Sequence, residues 1–269
     1  MLNLKDKPLK INTFYLPIIL FFNTLPTTAQ SLKSYKHNID GTICTAYSRD
    51  ITSQKPLLIL IHGSPGDHRG WVNYLTDNEL NIKFRLLALD RPGFGSSDST
   101  RAYPSLDFQA KFIQTLINQY AQGQKVYLLG HSVGCAVIMK LLTTAPKPVD
   151  AVILLAPVIA AEYEQPRWYN KLAKYDWVNK KLSKDMQTSQ AEMMAIPAQL
   201  EAIEPLLKNI KTPIYLFHGR LDMIAPYGNA ELLREEIPKS MLFFKSYPFN
   251  NHFIPWSKFK DIKVVLLKL

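Results

Sequence analysis

Gly130-His131-Ser132-Val133-Gly134 sets a serine between two glycines at a spacing that can do chemistry. It follows an apolar run, Val126 to Leu129, and opens a stretch of helical character from Val133 onward. A serine on so tight a strand-to-helix turn sits in a strained backbone conformation, and flanking side chains would collide with it. The turn lifts the hydroxyl over the C-terminal edge of a sheet and aims a helix N-terminus at the reacting group. A serine hydroxyl is a poor nucleophile near neutral pH and needs a base in contact. Imidazole suits that task, because it gains and loses a proton near working pH. A carboxylate is then needed to fix the ring's tautomer and stabilise its charged form.

The elements that must hold these groups are visible as alternating patterns. Ile43 to Arg49 reads as an early strand, and Pro56 to Ile61 is a continuous apolar run, as expected of a strand covered on both faces. Phe84 to Leu89, Val126 to Leu129, Ala151 to Leu155, Ile214 to Phe217 and Met241 to Phe244 continue the series. Between them, Leu106 to Tyr120 places Phe108, Phe112, Ile113, Leu116 and Ile117 on one helical face. Val133 to Thr143, Gly228 to Glu236 and Lys258 to Leu267 are further helices. Strands alternating with helices predict an α/β fold: a mostly parallel central sheet flanked by helices. From about Val158 to Pro205 the strand signal stops, and aromatic residues and Met stand among many Lys. That segment is expected to be a helical insertion before the penultimate strand.

With these motifs in place, the chain resembles the α/β-hydrolase family, as a small-cap, esterase-like member with a serine nucleophile. The resemblance covers nearly all of residues 33–269. His62-Gly63-Ser64-Pro65-Gly66 follows a strand and looks like the family's oxyanion loop. Asp90-Arg91-Pro92-Gly93-Phe94-Gly95-Ser96-Ser97 looks like its D-x-x-G-x-G-x-S turn, and Gly219-Arg220-Leu221-Asp222 and Asn251-His252-Phe253 complete the set with the serine turn. The family's chain order is Ser, then acid, then His. Of six His, only His218 and His252 follow Ser132. His218 ends an apolar strand and reads as structural; His252 lies in a polar loop and reads as the base. Asp222 follows a strand through a short turn and is the expected acid, with Glu162 or Glu164 as the alternative. The resemblance, with the need for two backbone donors in a dry site, implies the N–H groups of Ser64 and Val133 as the oxyanion hole. His62 reads as a hydrogen-bonding post, and Asp90 as a brace for the oxyanion loop in a turn with no chemical step.

Family members that open epoxides or displace halide use Asp where this chain has Ser132, so an acyl-enzyme from an ester or related acyl bond is expected. The insertion sits where the family carries its cap. Its small size favours small or medium acyl substrates with an apolar part. A proline-type aminopeptidase, a C–C bond hydrolase and a non-catalytic ligand-binding member of the same fold are the alternatives. No cofactor is expected. A metal at His62 and His68 has no supporting carboxylate–histidine pattern.

Composition bounds the rest. With 269 residues, 47% hydrophobic and 20% charged, the chain has a globular composition, and 2 Cys exclude a disulfide scaffold. Cys44 and Cys135 are expected as free, packed thiols. No apolar run reaches the roughly 18–20 residues of a membrane-spanning helix. Lys5, Lys7 and Lys10, the apolar Phe14 to Phe22 and the small residues Thr27-Thr28-Ala29 form a secretory signal over 1–29, ahead of one hydrolase domain over 30–269. Secretion or export to a periplasm is the expectation, with membrane anchoring by residues 1–29 as the alternative. The net charge of +10 fits weak association with an anionic membrane or cell-wall surface. The basic residues are scattered and no nucleic-acid motif stands out, so nucleic acid is not an expected partner.

Overall fold

The computed structural model describes residues 32–144, 149–166 and 175–269; the predicted signal segment lies outside them. Eight strands form one sheet: β1 (Lys33–Ile39), β2 (Thr42–Ser48), β3 (Leu57–Ile61), β4 (Arg85–Asp90), β5 (Val126–His131), β6 (Ala151–Leu155), β7 (Ile214–Gly219) and β8 (Leu242–Tyr247). Their order is β1-β2-β4-β3-β5-β6-β7-β8. β1 and β2 pair antiparallel, as do β2 and β4, and every other pair is parallel. The serine-bearing strand β5 is therefore central, and the strand before His252 is an edge.

The helices are α1 (Val72–Thr76), α2 (Asn78–Lys83), α3 (Leu106–Tyr120), α4 (Val133–Thr144), α5 (Asp176–Asn179), α6 (Lys184–Ile203), α7 (Gly228–Glu236), α8 (Ile254–Ser257) and α9 (Phe259–Leu266). α3 and α6 begin at serine caps: Ser105 accepts from the Phe108 N–H, and Ser183 from the Met186 N–H. Each such cap contributes about 1 kcal/mol.

Alternation along each strand divides the core into two layers. Leu57, Ile59 and Ile61 face α3, α4 and α7 on one side; Leu58 and Leu60 face α1, α2 and α9 on the other. Both faces are covered, which explains the unbroken LLILI run in β3. β1 carries no apolar run, because it is an edge strand with alternate residues exposed. Its turn, Asp40-Gly41 with φ of 50° and 85°, is the Asp-Gly signature of a tight hairpin.

Between β6 and β7 no strand occurs among the described residues. The C-terminal half of α6 packs Ile196, Leu200 and Ile203 into the same core layer as α4. Tyr175 and Trp177, at 59% and 66% exposure, face solvent. Trp168 and Tyr169 lie outside the described residues. Cys44 and Cys135 are buried free thiols, and burial pushes the Cys44 thiol up to about 12. Among the described residues no helix is long and apolar enough to cross a membrane.

Candidate active site

At the end of β5, Ser132 takes a φ of 55°. That left-handed conformation costs a non-glycine residue roughly 1–2 kcal/mol. Local hydrogen bonds offset it: Ser132 N–H donates to Leu155 O at 3.1 Å, and Ser132 O accepts from Cys135 N–H at 2.9 Å. Gly134 is required by close approach, since a methyl there would meet Ile61 O at 2.4 Å. α4 thus starts against the end of β3. The oxyanion loop reaches the serine, because a methyl on Gly63 would lie 2.9 Å from Ser132 Cβ.

His252 Nδ1 donates to Asp222 Oδ2 at 2.7 Å. An ionised carboxylate only accepts, so Nδ1 carries the proton and Nε2 is left bare. The other oxygen of Asp222 accepts from the N–H groups of Ile224 and Ala225, both at 2.9 Å. Burial pushes the Asp222 carboxyl up, but hydrogen bonds from His218 and His252 outweigh it and hold it well below the usual carboxylate range. The Asp222 turn and the His252 loop are laced together. Leu221 N–H donates to Asn250 O at 3.0 Å, and a methyl on Gly219 would meet that same oxygen at 2.3 Å.

Two imidazoles brace this pair, and sequence reasoning did not assign either the role. His218 Nε2 donates to Ala225 O at 3.0 Å and lies 3.3 Å from Asp222 Oδ2. His131, inside the serine turn, donates from Nε2 to His252 O at 3.0 Å, and the two rings lie 4.6 Å apart. Burial, with His252 close by, pushes His131 well below its ordinary value and keeps it neutral. The residue preceding Ser132 therefore touches the base loop. No hydrogen bond joins Ser132 to His252 among the described residues; what links the serine turn to the His252 loop is the contact through His131. Such contacts often tighten only once substrate is bound. Of the alternative acids, Glu162 is exposed and Glu164 accepts from Asn229 Nδ2 at 3.3 Å.

Val133 is the first residue of α4, where an amide has no intrahelical acceptor. The Ser64 hydroxyl is buried and has no hydrogen-bond partner among the described residues. His62 Nε2 accepts from the Arg91 N–H at 2.9 Å, so its proton sits on Nδ1, which donates to Gly63 O at 2.7 Å. Burial and the adjacent Arg91 push His62 down to about 3. Asp90 does not reach the oxyanion loop proper: it accepts from the N–H and Nδ1 of His68 and from Ser96 N–H. Arg91 is the residue that touches the loop, through His62 O and Gly63 O. Asp67, His68 and Asp90 place possible metal-ligating atoms within 4.8 Å of one another. Their acceptors are already engaged, Asp67 by Arg69 and Asp90 by His68.

This architecture has counterparts among known proteins. The family model described as alpha/beta hydrolase fold matches residues 56–183. The chain is 30% identical over 136 residues to the probable lysophospholipase BODYGUARD 4 of Arabidopsis thaliana, covering 48% of this chain and 32% of that protein. It thus spans about a third of that relative's length. It is 26% identical to the pimeloyl-[acyl-carrier protein] methyl ester esterase of Nitrosomonas europaea over 72% of this chain and 88% of the other. The structure of a Paleococcus ferrophilus monoacylglycerol lipase superposes with a TM-score of 0.65 at 22% identity, over 88% of this chain and 99% of that one. The chain has the alpha/beta hydrolase fold. Its relatives include esterases and lipases.

Proposed function

We propose that this chain is a serine hydrolase that cleaves a carboxylic ester or related acyl bond through an acyl-enzyme on Ser132. The hydrogen bond from His252 Nδ1 to Asp222 carries the reading, because it leaves His252 Nε2 free to take a proton beside the serine turn. Ser132 Oγ attacks the carbonyl carbon while its proton passes to Nε2. The charge that forms on the carbonyl oxygen meets the N–H groups of Val133 and Ser64, each such donor being worth about 10²–10³ in rate. The imidazolium, stabilised by Asp222, protonates the departing alcohol. Water then gives a proton to His252, attacks the acyl carbon, and releases the acid and the free serine.

The names of the relatives, a lysophospholipase, a methyl ester esterase and a monoacylglycerol lipase, favour esters with an apolar acyl part. The loops bearing Asp222 and His252 agree with that choice, since Leu221, Met223, Ile224 and Phe253 on them are exposed. Export by residues 1–29 belongs to the same proposal, and N-terminal sequencing of the natural protein tests it by looking for a start at Gln30.

The experiment is a fluorophosphonate probe together with a series of p-nitrophenyl esters of increasing chain length. Covalent labelling and ester turnover, both lost in Ser132→Ala, are expected. A wild-type protein that neither labels nor hydrolyses any member of the series overturns the proposal.

A further inference from the structure

We infer that Arg91 is a positioning residue for the reaction, and that the buried Arg91–Glu192 pair couples the cap helix α6 to the orientation of the Ser64 N–H. The inference rests on Ser64 as an oxyanion donor.

A trans peptide is planar, so the carbonyl of one residue and the N–H of the next point in opposite directions. The Gly63–Ser64 bond is trans. Whatever holds Gly63 O therefore aims the Ser64 N–H. Gly63 O accepts from His62 Nδ1 at 2.7 Å and from Arg91 Nη2 at 2.8 Å, which fills both of its lone pairs. Turning this peptide over would strand two donors in the interior, one of them charged.

Arg91 is itself held from several directions. Its Nε donates to His62 O at 3.0 Å and its Nη1 to Gln109 Oε1 at 2.6 Å. Both terminal nitrogens meet the Glu192 carboxylate, Nη1 on Oε1 and Nη2 on Oε2. Gln109 Nε2 closes the ring of contacts by donating to Glu192 Oε1 at 2.8 Å. Arg91 and Glu192 are 1% and 2% exposed, so water does not supply these bonds. Glu192 belongs to α6, and one turn earlier Thr188 donates to Gly93 O at 3.2 Å. The cap helix is thus fastened to the turn that carries Arg91.

A buried ion pair is a poor source of net stability, and apolar residues of similar volume often replace both partners without loss. That gives a clean test. In Arg91→Met/Glu192→Leu no orphan charge remains, but Gly63 O loses a donor. On an ester that the wild type hydrolyses, kcat is expected to fall about 10–100-fold with KM within about threefold. Affinity for a trifluoromethyl ketone, whose tetrahedral adduct needs the oxyanion donors, is expected to fall in parallel with kcat/KM. Affinity for the carboxylate product and the shape of the pH profile should stay unchanged, because the base is untouched. Arg91→Lys keeps the charge opposite Glu192 but lacks the planar fork, so it should show the same pattern to a smaller degree and serves if the double variant does not fold. Wild-type kcat and ketone affinity in either folded variant overturn the inference. A wild-type protein without hydrolysis would instead overturn the functional proposal, since no ratio could then be measured.

Discussion

Two buried polar clusters flank Ser132, and they are built from opposite kinds of chain. On one side His218 stands near the end of β7, while Asp222 and His252 sit on the loops that follow the adjacent strands β7 and β8, and those loops hydrogen-bond to each other. On the other side His62, Arg91, Gln109 and Glu192 come from four separate elements, with Glu192 101 residues beyond Arg91. In the proposed reaction the first cluster orients a ring that must accept a proton. In the same proposal the second orients a backbone amide that must meet a negative charge. A proton acceptor can be set by neighbours in one loop pair, whereas an amide's direction depends on everything that grips its peptide.

The first cluster is tested by the largest effects. Ser132→Ala or His252→Ala should lower kcat/KM by about four to six orders of magnitude in steady-state ester hydrolysis. Asp222→Asn should lower kcat by about 10⁴-fold, because the amide can hold the wrong tautomer of His252. Glu162→Gln and Glu164→Gln should stay within about threefold. Full activity in Asp222→Asn with loss in Glu164→Gln would move the acid to the cap.

The second cluster should answer in stability as well as rate. Glu192→Ala alone leaves a buried guanidinium without its counter-charge and should cost about 3–5 kcal/mol in urea unfolding. Arg91→Met/Glu192→Leu should cost much less. A single variant as stable as the double one would mean that the buried guanidinium does not depend on Glu192 as its counter-charge.

Acid sharpens the contrast further. Burial and Arg91 hold His62 at about 3 in the folded chain, against an ordinary 6.5. The unfolded chain therefore binds more protons between those values, and stability present above about 6.5 is lost as pH falls toward 3. The limit is on the order of 5 kcal/mol for this one group. Asp222, held below the usual carboxylate range, adds its loss only in stronger acid. Denaturant midpoints measured from pH 7 to pH 4 should fall steadily. His62→Gln, which can still accept from the Arg91 N–H, should flatten part of that fall.

The same contrast governs what can be read from sequence. β3 to β6 are legible as apolar runs because both of their faces are covered. α3 is legible by its 3.6-residue spacing, and β1 is not, because an edge strand paired on one side needs few apolar residues. The serine turn, Asp222 and His252 each carry a local signal of Gly or a polar loop after a strand. Glu192 stands among Met and Ala in an ordinary helix, and nothing local marks it as buried against a guanidinium. Arg91 lies in a recognisable turn, but its task depends on residues 62, 63 and 192. His131 was hidden by its own motif, since the variable position between Gly and Ser looks free to vary.

The sheet order gives the reactive groups unequal anchorage. The strand leading to Ser132 has partners on both sides, while the one leading to His252 is zipped to a single neighbour. Outer strands open by local fluctuation long before a core comes apart. On the proposed mechanism, peeling of this last strand would carry the imidazole away and stop turnover while the rest of the molecule stayed intact, so the temperature at which turnover stops and the temperature at which helices melt would be set by different parts of the polymer.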